Sequence, residues 1–204
     1  MSNSKIDIKS MNLVELTEFV ASIGEKAFRA KQLYQWLHVK QVYAFDDMTN
    51  LSKAFREKLN EVSFITDLKQ EQVQISQIDG TRKYLFLLED GNVIESVLMR
   101  YKHGNSVCIS SQVGCRMGCR FCASTLDGLV RGLRPSEMID QIYKIGQDIG
   151  ERISNVVVMG TGEPMDNYDN LLKFITLLTD ENGLNISQRN LTVSTCGIVP
   201  RMRQ

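Results

Sequence analysis

A chain of 204 residues with 43% apolar side chains can bury one large core or two small ones, and 24 basic against 24 acidic residues leave no net charge. No apolar run approaches membrane-spanning length, and the polar opening MSNSKIDIKS lacks the apolar stretch of a secretory leader. A cytoplasmic protein with no membrane partner is therefore expected, its five cysteines acting as thiols or metal ligands rather than structural disulfides.

The first 60 residues read as helical. MNLVELTEFVASIG spaces Leu13, Leu16, Val20 and Ile23 at helical intervals and stops at Gly24. AFRAKQLYQWLHVK carries Phe28, Leu33, Trp36 and Leu37 between basic residues, and NLSKAFREKL makes a third helix. The aromatics are read as packing residues, with RNA contact by this basic face as the minority alternative.

From about Ile65 the period changes to two. TRKYLFLLEDGNVIESVLMRY predicts two strands joined by the turn EDGN. Beyond it the order is strand, helix, strand, helix, strand: NSVCIS, then SEMIDQIYKIGQDIG with Ser136 as a candidate N-cap, NVVVMG, DNLLKFITLLTDENG and NLTVST. Alternating β and α with apolar strands implies a parallel α/β sheet, doubly wound or part of a barrel. Ligands in such folds sit at the carboxyl ends of the strands, where the cysteine loop, GTGEP and Ser194 all fall.

Charge is unevenly spread. Between Arg100 and Arg134 there are six basic residues (Arg100, Lys102, Arg116, Arg120, Arg131, Arg134) and one acid, Asp127. Such a zone around the cysteines would attract an anionic substrate; a set of solvated arginines is the plainer reading.

The stretch CISSQVGCRMGCRFCAS holds four of the five cysteines. Cys108 with Cys115, Cys119 and Cys122 could ligate structural zinc, although such sites are usually two short-spaced pairs. Cys119 and Cys122 alone could be a redox pair, which leaves Cys115 unexplained. Cys115, Cys119 and Cys122 could instead hold a 4Fe–4S cluster through three thiolates, leaving one iron open. Histidines 38 and 103 are far from the cysteines in sequence.

The C-x3-C-x-(aromatic)-C spacing, with Phe121 as the aromatic, resembles the signature of the radical S-adenosylmethionine superfamily. CISSQVGCRMGCRFCAS, VVVMGTGEPMDNYDN and LTVSTCGIVP together resemble the RlmN/Cfr family of RNA methyltransferases. The resemblance implies a partial (β/α)6 barrel preceded by a helical accessory domain. On that reading residues 1–62 are the accessory domain, 63–104 a β-hairpin and connecting segment, and 105–204 the first part of the barrel.

It further implies methylation of adenine C2 in 23S rRNA and tRNA, with a 4Fe–4S cluster on Cys115, Cys119 and Cys122. S-adenosylmethionine would be held by Gly162, Glu163 and Ser194, and electrons supplied by a donor such as flavodoxin or ferredoxin. Glu95 corresponds to the general base, expected to be buried in the apolar stripe of Val93, Val97 and Met99 with a raised pKa. Cys108 corresponds to the thiol that resolves a covalent RNA adduct by forming a disulfide. Cys196 gains no role from the resemblance. The methyl-accepting cysteine of the family lies beyond Gln204, so these residues correspond to an N-terminal portion expected to be inactive alone. The alternative is a zinc-bound, non-catalytic RNA-binding module.

Overall fold

Asn12 starts the first long helix. Its side chain accepts the Glu15 amide at 2.9 Å while Glu15 reaches back to the Asn12 amide at 3.0 Å, satisfying two N–H groups that a helix start leaves free. The computed structural model describes residues 5–102 and 104–204; Met1–Ser4, the start of the polar opening segment, and His103 lie outside them. The described residues form two compact units, one from residues 5–66 with 176–185, the other from the described residues of 67–175 with 186–204.

In the first unit a short parallel pair, β1 (Ile6–Asp7) and β2 (Ser63–Phe64), brackets three helices, α1 (Leu13–Ser22), α2 (Phe28–His38) and α3 (Lys53–Val62). Leu16, Phe19 and Val20 of α1, Leu33 and Leu37 of α2, and Phe55 and Leu59 of α3 form the core. Lys9 is fully buried, yet its ammonium donates to the Thr66 carbonyl at 2.8 Å and lies 4.1 Å from the Tyr43 ring centroid. The aromatics of α2 divide. Trp36 is buried, with its indole N–H on Asn50, whereas Phe28 is 53% exposed and does not pack as expected.

The second unit is built on a six-stranded sheet. Its strands are β3 (Lys69–Ile75), β4 (Arg82–Leu87), β5 (Val93–Tyr101), β6 (Gly104–Ile109), β9 (Ile153–Val158) and β10 (Leu191–Val193), in the spatial order β10-β9-β6-β5-β4-β3. β10, β9 and β6 run parallel; β6, β5, β4 and β3 alternate. The expected parallel α/β sheet is thus one half of a mixed sheet, and β6 is the strand on which the two halves meet. A separate small ribbon, β7 (Gln112–Gly114) with β8 (Leu129–Gly132), flanks the cysteine loop.

Crossover helices α4 (Pro135–Ile149) and α5 (Tyr168–Thr179) connect the parallel strands, and the short α6 (Val199–Met202) follows β10. The N-cap of α4 is Arg134 rather than Ser136. Pro135 takes the first helical position, where its missing N–H costs nothing, and the Glu137 carboxylate accepts the Arg134 amide at 2.8 Å; Ser136 is inside the helix and fully buried.

α4 covers one face of the sheet. Its Met138, Ile139, Ile142 and Ile145 are buried, as are Tyr84, Phe86, Ile94, Leu98, Val107, Ile109, Val156 and Val158 of the strands. Each such side chain contributes roughly 1.5–3 kcal/mol when fully withdrawn from water. Gln141 fastens the two layers: it accepts from the Ser96 hydroxyl and the Ser110 amide and donates to the carbonyls of Ser110 and Glu137.

The opposite face, carrying Val93, Glu95, Val97 and Cys108, has no buried side chain among these four.

Candidate functional site

Three loops leave the carboxyl ends of β6, β9 and β10 and are laced together by backbone bonds. Gly160 donates to Ile109, Ser111 and Gln112 donate to Thr161, and Ser194 donates to Val158. The cysteine loop, the GTGEP loop and Ser194 therefore meet at one edge of the sheet, as the strand order predicts.

They enclose a cleft of 210 Å³ whose wall includes Cys115, Cys119 and Cys122 together with Gly162, Glu163 and Ser194. Cys115 is buried and the other two are half-exposed. Among the described residues no three His, Cys, Asp or Glu are gathered tightly enough to hold a single metal ion. Cys108 is on β6 and does not line the cleft, so the four-thiol zinc arrangement is not formed. A four-iron cluster needs less convergence, because each thiolate takes a different iron. Three free thiols around one cleft fit that requirement.

The GTGEP loop needs its glycines. Gly162 has φ of +110°, and a Cβ there would come within 2.5 Å of Gln112 Cβ. This close approach lets the Gln112 side chain accept the Glu163 amide at 2.8 Å while its amide group donates to Asp166 at 3.2 Å. Asp166 is also ion-paired with Arg116 of the cysteine loop, which joins the two loops. Gln112 and Asp166 were not predicted. Gln112 is in the quoted CISSQVGC segment, but nothing in its spacing distinguishes it from a strand residue.

Glu163 is 3% exposed. Oε1 accepts the Thr195 hydroxyl at 2.6 Å and the Met165 amide at 2.9 Å, and Oε2 accepts the Cys196 amide at 2.7 Å. Burial pushes its pKa up, but these hydrogen bonds together outweigh burial and hold it below the usual carboxylate range. The cleft therefore presents an anion, held in place, suited to a cationic ligand group. Thr195 and Cys196 are additions to the predicted set. The Cys196 thiol is pushed up to about 11, first by its hydrogen bond to Glu163 and then by burial.

Glu95 departs from expectation. It is exposed, and its carboxylate is 3.1 Å from Lys83 Nζ. The reason is the sheet face it stands on, which α4 leaves uncovered. Cys108 shares that face: it pairs with Val97, two residues along from Glu95, so the two are diagonal neighbours across β5 and β6. Burial raises the Cys108 thiol pKa, opposed by a bond from the Met159 amide. All five cysteines are free thiols. The disulfide that the resemblance implies for Cys108 is not formed here.

The basic zone is largely compensated. Arg100 pairs with Glu151, Arg116 with Asp166, Arg131 with Asp90 and Glu137, and Arg134 with Glu89 and Glu137. Glu137 is just past the zone, but Glu89, Asp90, Glu151 and Asp166 come from distant parts of the chain, which a count along the sequence cannot see. No helix is long and apolar enough to cross a membrane among the described residues.

Residues 6–65 match the family described as the ribosomal RNA large subunit methyltransferase N-terminal domain, and residues 109–204 match the radical SAM superfamily. The chain is 68% identical, over 97% of its length, to a probable dual-specificity RNA methyltransferase RlmN from Lachnospira eligens, and 64% identical over 98% to one from Lachnoclostridium phytofermentans. It covers 57% and 56% of those proteins, so it spans little more than half the length of the curated relatives it matches. A radical SAM methyltransferase from Sphaerobacter thermophilus superposes with a TM-score of 0.87 at 37% identity, over 96% of this chain and 58% of the other.

Proposed function

The chain belongs to the RlmN-type family of radical SAM methyltransferases, and on that premise we propose that the protein it represents transfers a methyl group to C2 of adenine in 23S rRNA and tRNA. The observation that carries the reading is the meeting of Cys115, Cys119 and Cys122 with Gly162, Glu163 and Ser194 around one cleft at the strand ends.

Cys115, Cys119 and Cys122 would hold a 4Fe–4S cluster. That group, when bound and reduced by a flavodoxin- or ferredoxin-like donor, supplies the electron that splits S-adenosylmethionine. The Glu163 carboxylate receives the ammonium of that ligand, Gly162 lets the backbone approach it, and Ser194 contacts it from the end of β10.

Glu95 and Cys108 act on the RNA side. Adenine C2 must lose a proton once it carries the new carbon, and Glu95, on the uncovered face, accepts it. Cys108 supplies the thiolate that attacks the sulfur of the cross-linking cysteine: an S–S bond forms as the C–S bond to the base breaks, and the electron pair leaves with the carbon, which takes up a proton to become the methyl group. Residues 1–62 serve as an accessory module for RNA, 63–104 as the connecting hairpin, and 105–204 as the portion that holds the cofactors.

The test has two parts. Anaerobic loading of this chain with iron and sulfide should give broad visible absorbance and about four irons per chain. A full-length version, given methyl-labelled S-adenosylmethionine, a reductant and an rRNA fragment, should label adenine C2. A stoichiometric zinc that iron does not displace, or label at C8 alone, would overturn the reading.

A further inference from the structure

Thr195 has no part in the assignments above, yet it controls the buried carboxylate of the cleft. The two oxygens of Glu163 are differently engaged. Oε1 accepts both the Thr195 hydroxyl and the Met165 amide, whereas Oε2 accepts the Cys196 amide. A carboxylate oxygen has about two lone-pair sites, so Oε1 is filled and Oε2 keeps one. The Cys196 thiol also donates to this carboxylate, but a thiol is a weak donor that a charged group displaces.

The Thr195 hydroxyl is not free to turn. Its oxygen accepts the Gly197 amide at 3.0 Å, and its single hydrogen is committed to Glu163 at 2.6 Å. With the Met165 amide on the same oxygen, the carboxylate is pinned about its last torsion, which is otherwise broad.

We propose that Thr195 is a positioning residue: by filling Oε1 of Glu163 it dedicates Oε2 to the ammonium group of an amino-acid-bearing nucleoside ligand. The inference rests on the reading of Glu163 as the ammonium acceptor. It separates Thr195 from Ser194, its neighbour, which acts on the ligand directly.

Equilibrium binding of two probes to the cluster-loaded chain tests it. S-adenosylhomocysteine carries the ammonium; 5′-methylthioadenosine has the same nucleoside and thioether without it. Thr195→Val, which keeps the shape and removes the hydroxyl, should weaken S-adenosylhomocysteine binding about tenfold and leave 5′-methylthioadenosine unchanged. Thr195→Ser should restore affinity to within about twofold. Visible absorbance of the cluster, equal in all three proteins, checks that the cleft is intact. Equal binding of S-adenosylhomocysteine by the valine variant and the parent would overturn the proposal, and so would equal weakening of both probes. A parent protein that binds both probes with the same affinity would instead reject Glu163 as ammonium acceptor, and one that binds neither would reject the ligand site as a whole.

Discussion

Arg116, inside the cysteine loop, is ion-paired with Asp166, just past Glu163, its Nε 2.9 Å from the carboxylate. The loop that carries the three thiols is thereby tied to the loop that carries the buried anion. Arg116 is largely exposed, so the pair adds little to global stability, but it restricts where the thiols can go. Arg116→Ala should leave the melting temperature unchanged while shortening the lifetime of the cluster under a chelator severalfold. An unaltered lifetime would show that the loop holds its shape without the pair.

Cysteine variants should separate into two classes. Ala at Cys115, Cys119 or Cys122 should abolish the visible chromophore after anaerobic loading; Ala at Cys108 or Cys196 should preserve it. Loss of the chromophore on changing Cys108 would return that thiol to the ligand set.

Gln141 is fully buried and holds both backbone groups of Ser110. Gln141→Leu leaves that amide and carbonyl without their partner in a dry layer, which costs about 1–3 kcal/mol for each group. Chemical denaturation should show a lower midpoint with an unchanged slope. An unshifted midpoint would mean that other groups take over both bonds.

Acid should weaken the protein through Glu137. Its side chain is fully buried; burial raises its pKa, but bonds from Arg131 and the Arg134 amide bring the net value below the ordinary one. A carboxylate depressed in the folded state adds stability above its unfolded pKa and loses it as pH falls through the folded value. Stability should therefore decline as pH drops below about 4.5. Asp90, held at about 2 chiefly by Arg131, extends the decline. Glu137→Gln should cost on the order of 3 kcal/mol at neutral pH and flatten the profile. A profile identical to that of the parent would exclude Glu137 as its source.

In a full-length version, Cys108→Ala should accumulate a covalent protein–RNA species, because the releasing thiolate is absent. Glu95→Gln should stall before release with unmodified ligand affinity. Denaturing gels resolve the first and binding isotherms the second. Normal turnover by either variant would remove that residue from the reaction.

Long periodic elements were legible because their apolar faces meet a partner: Leu16 and Val20 in α1, Ile142 and Ile145 in α4, Val156 and Val158 in β9. β3 was not, since KQEQVQI is an edge strand with six of its seven side chains exposed and so has no alternation to read. The ribbon β7–β8 is too short to carry a period. Among site residues, the cysteine spacing announced itself, and GTGEP followed from its place after an apolar strand. Gln112, Asp166 and Thr195 act through contacts 32 to 54 positions away, which no local pattern encodes. Glu95 was misread for a related reason: strand alternation says which side chains share a face, but only the packed helix decides which face is dry.

β6 is hydrogen-bonded on both sides, to β5 and to β9, and Cys108 is paired with Val97 on one and Val157 on the other. Its backbone therefore has no freedom to follow a reaction partner. A disulfide closes only when the two Cα atoms come within about 4.4–6.8 Å, so a second sulfur has to travel the whole distance to Cys108. A thiol that reacted with Cys108 would meet a residue anchored on both sides, so the approach would have to come from the other reactant.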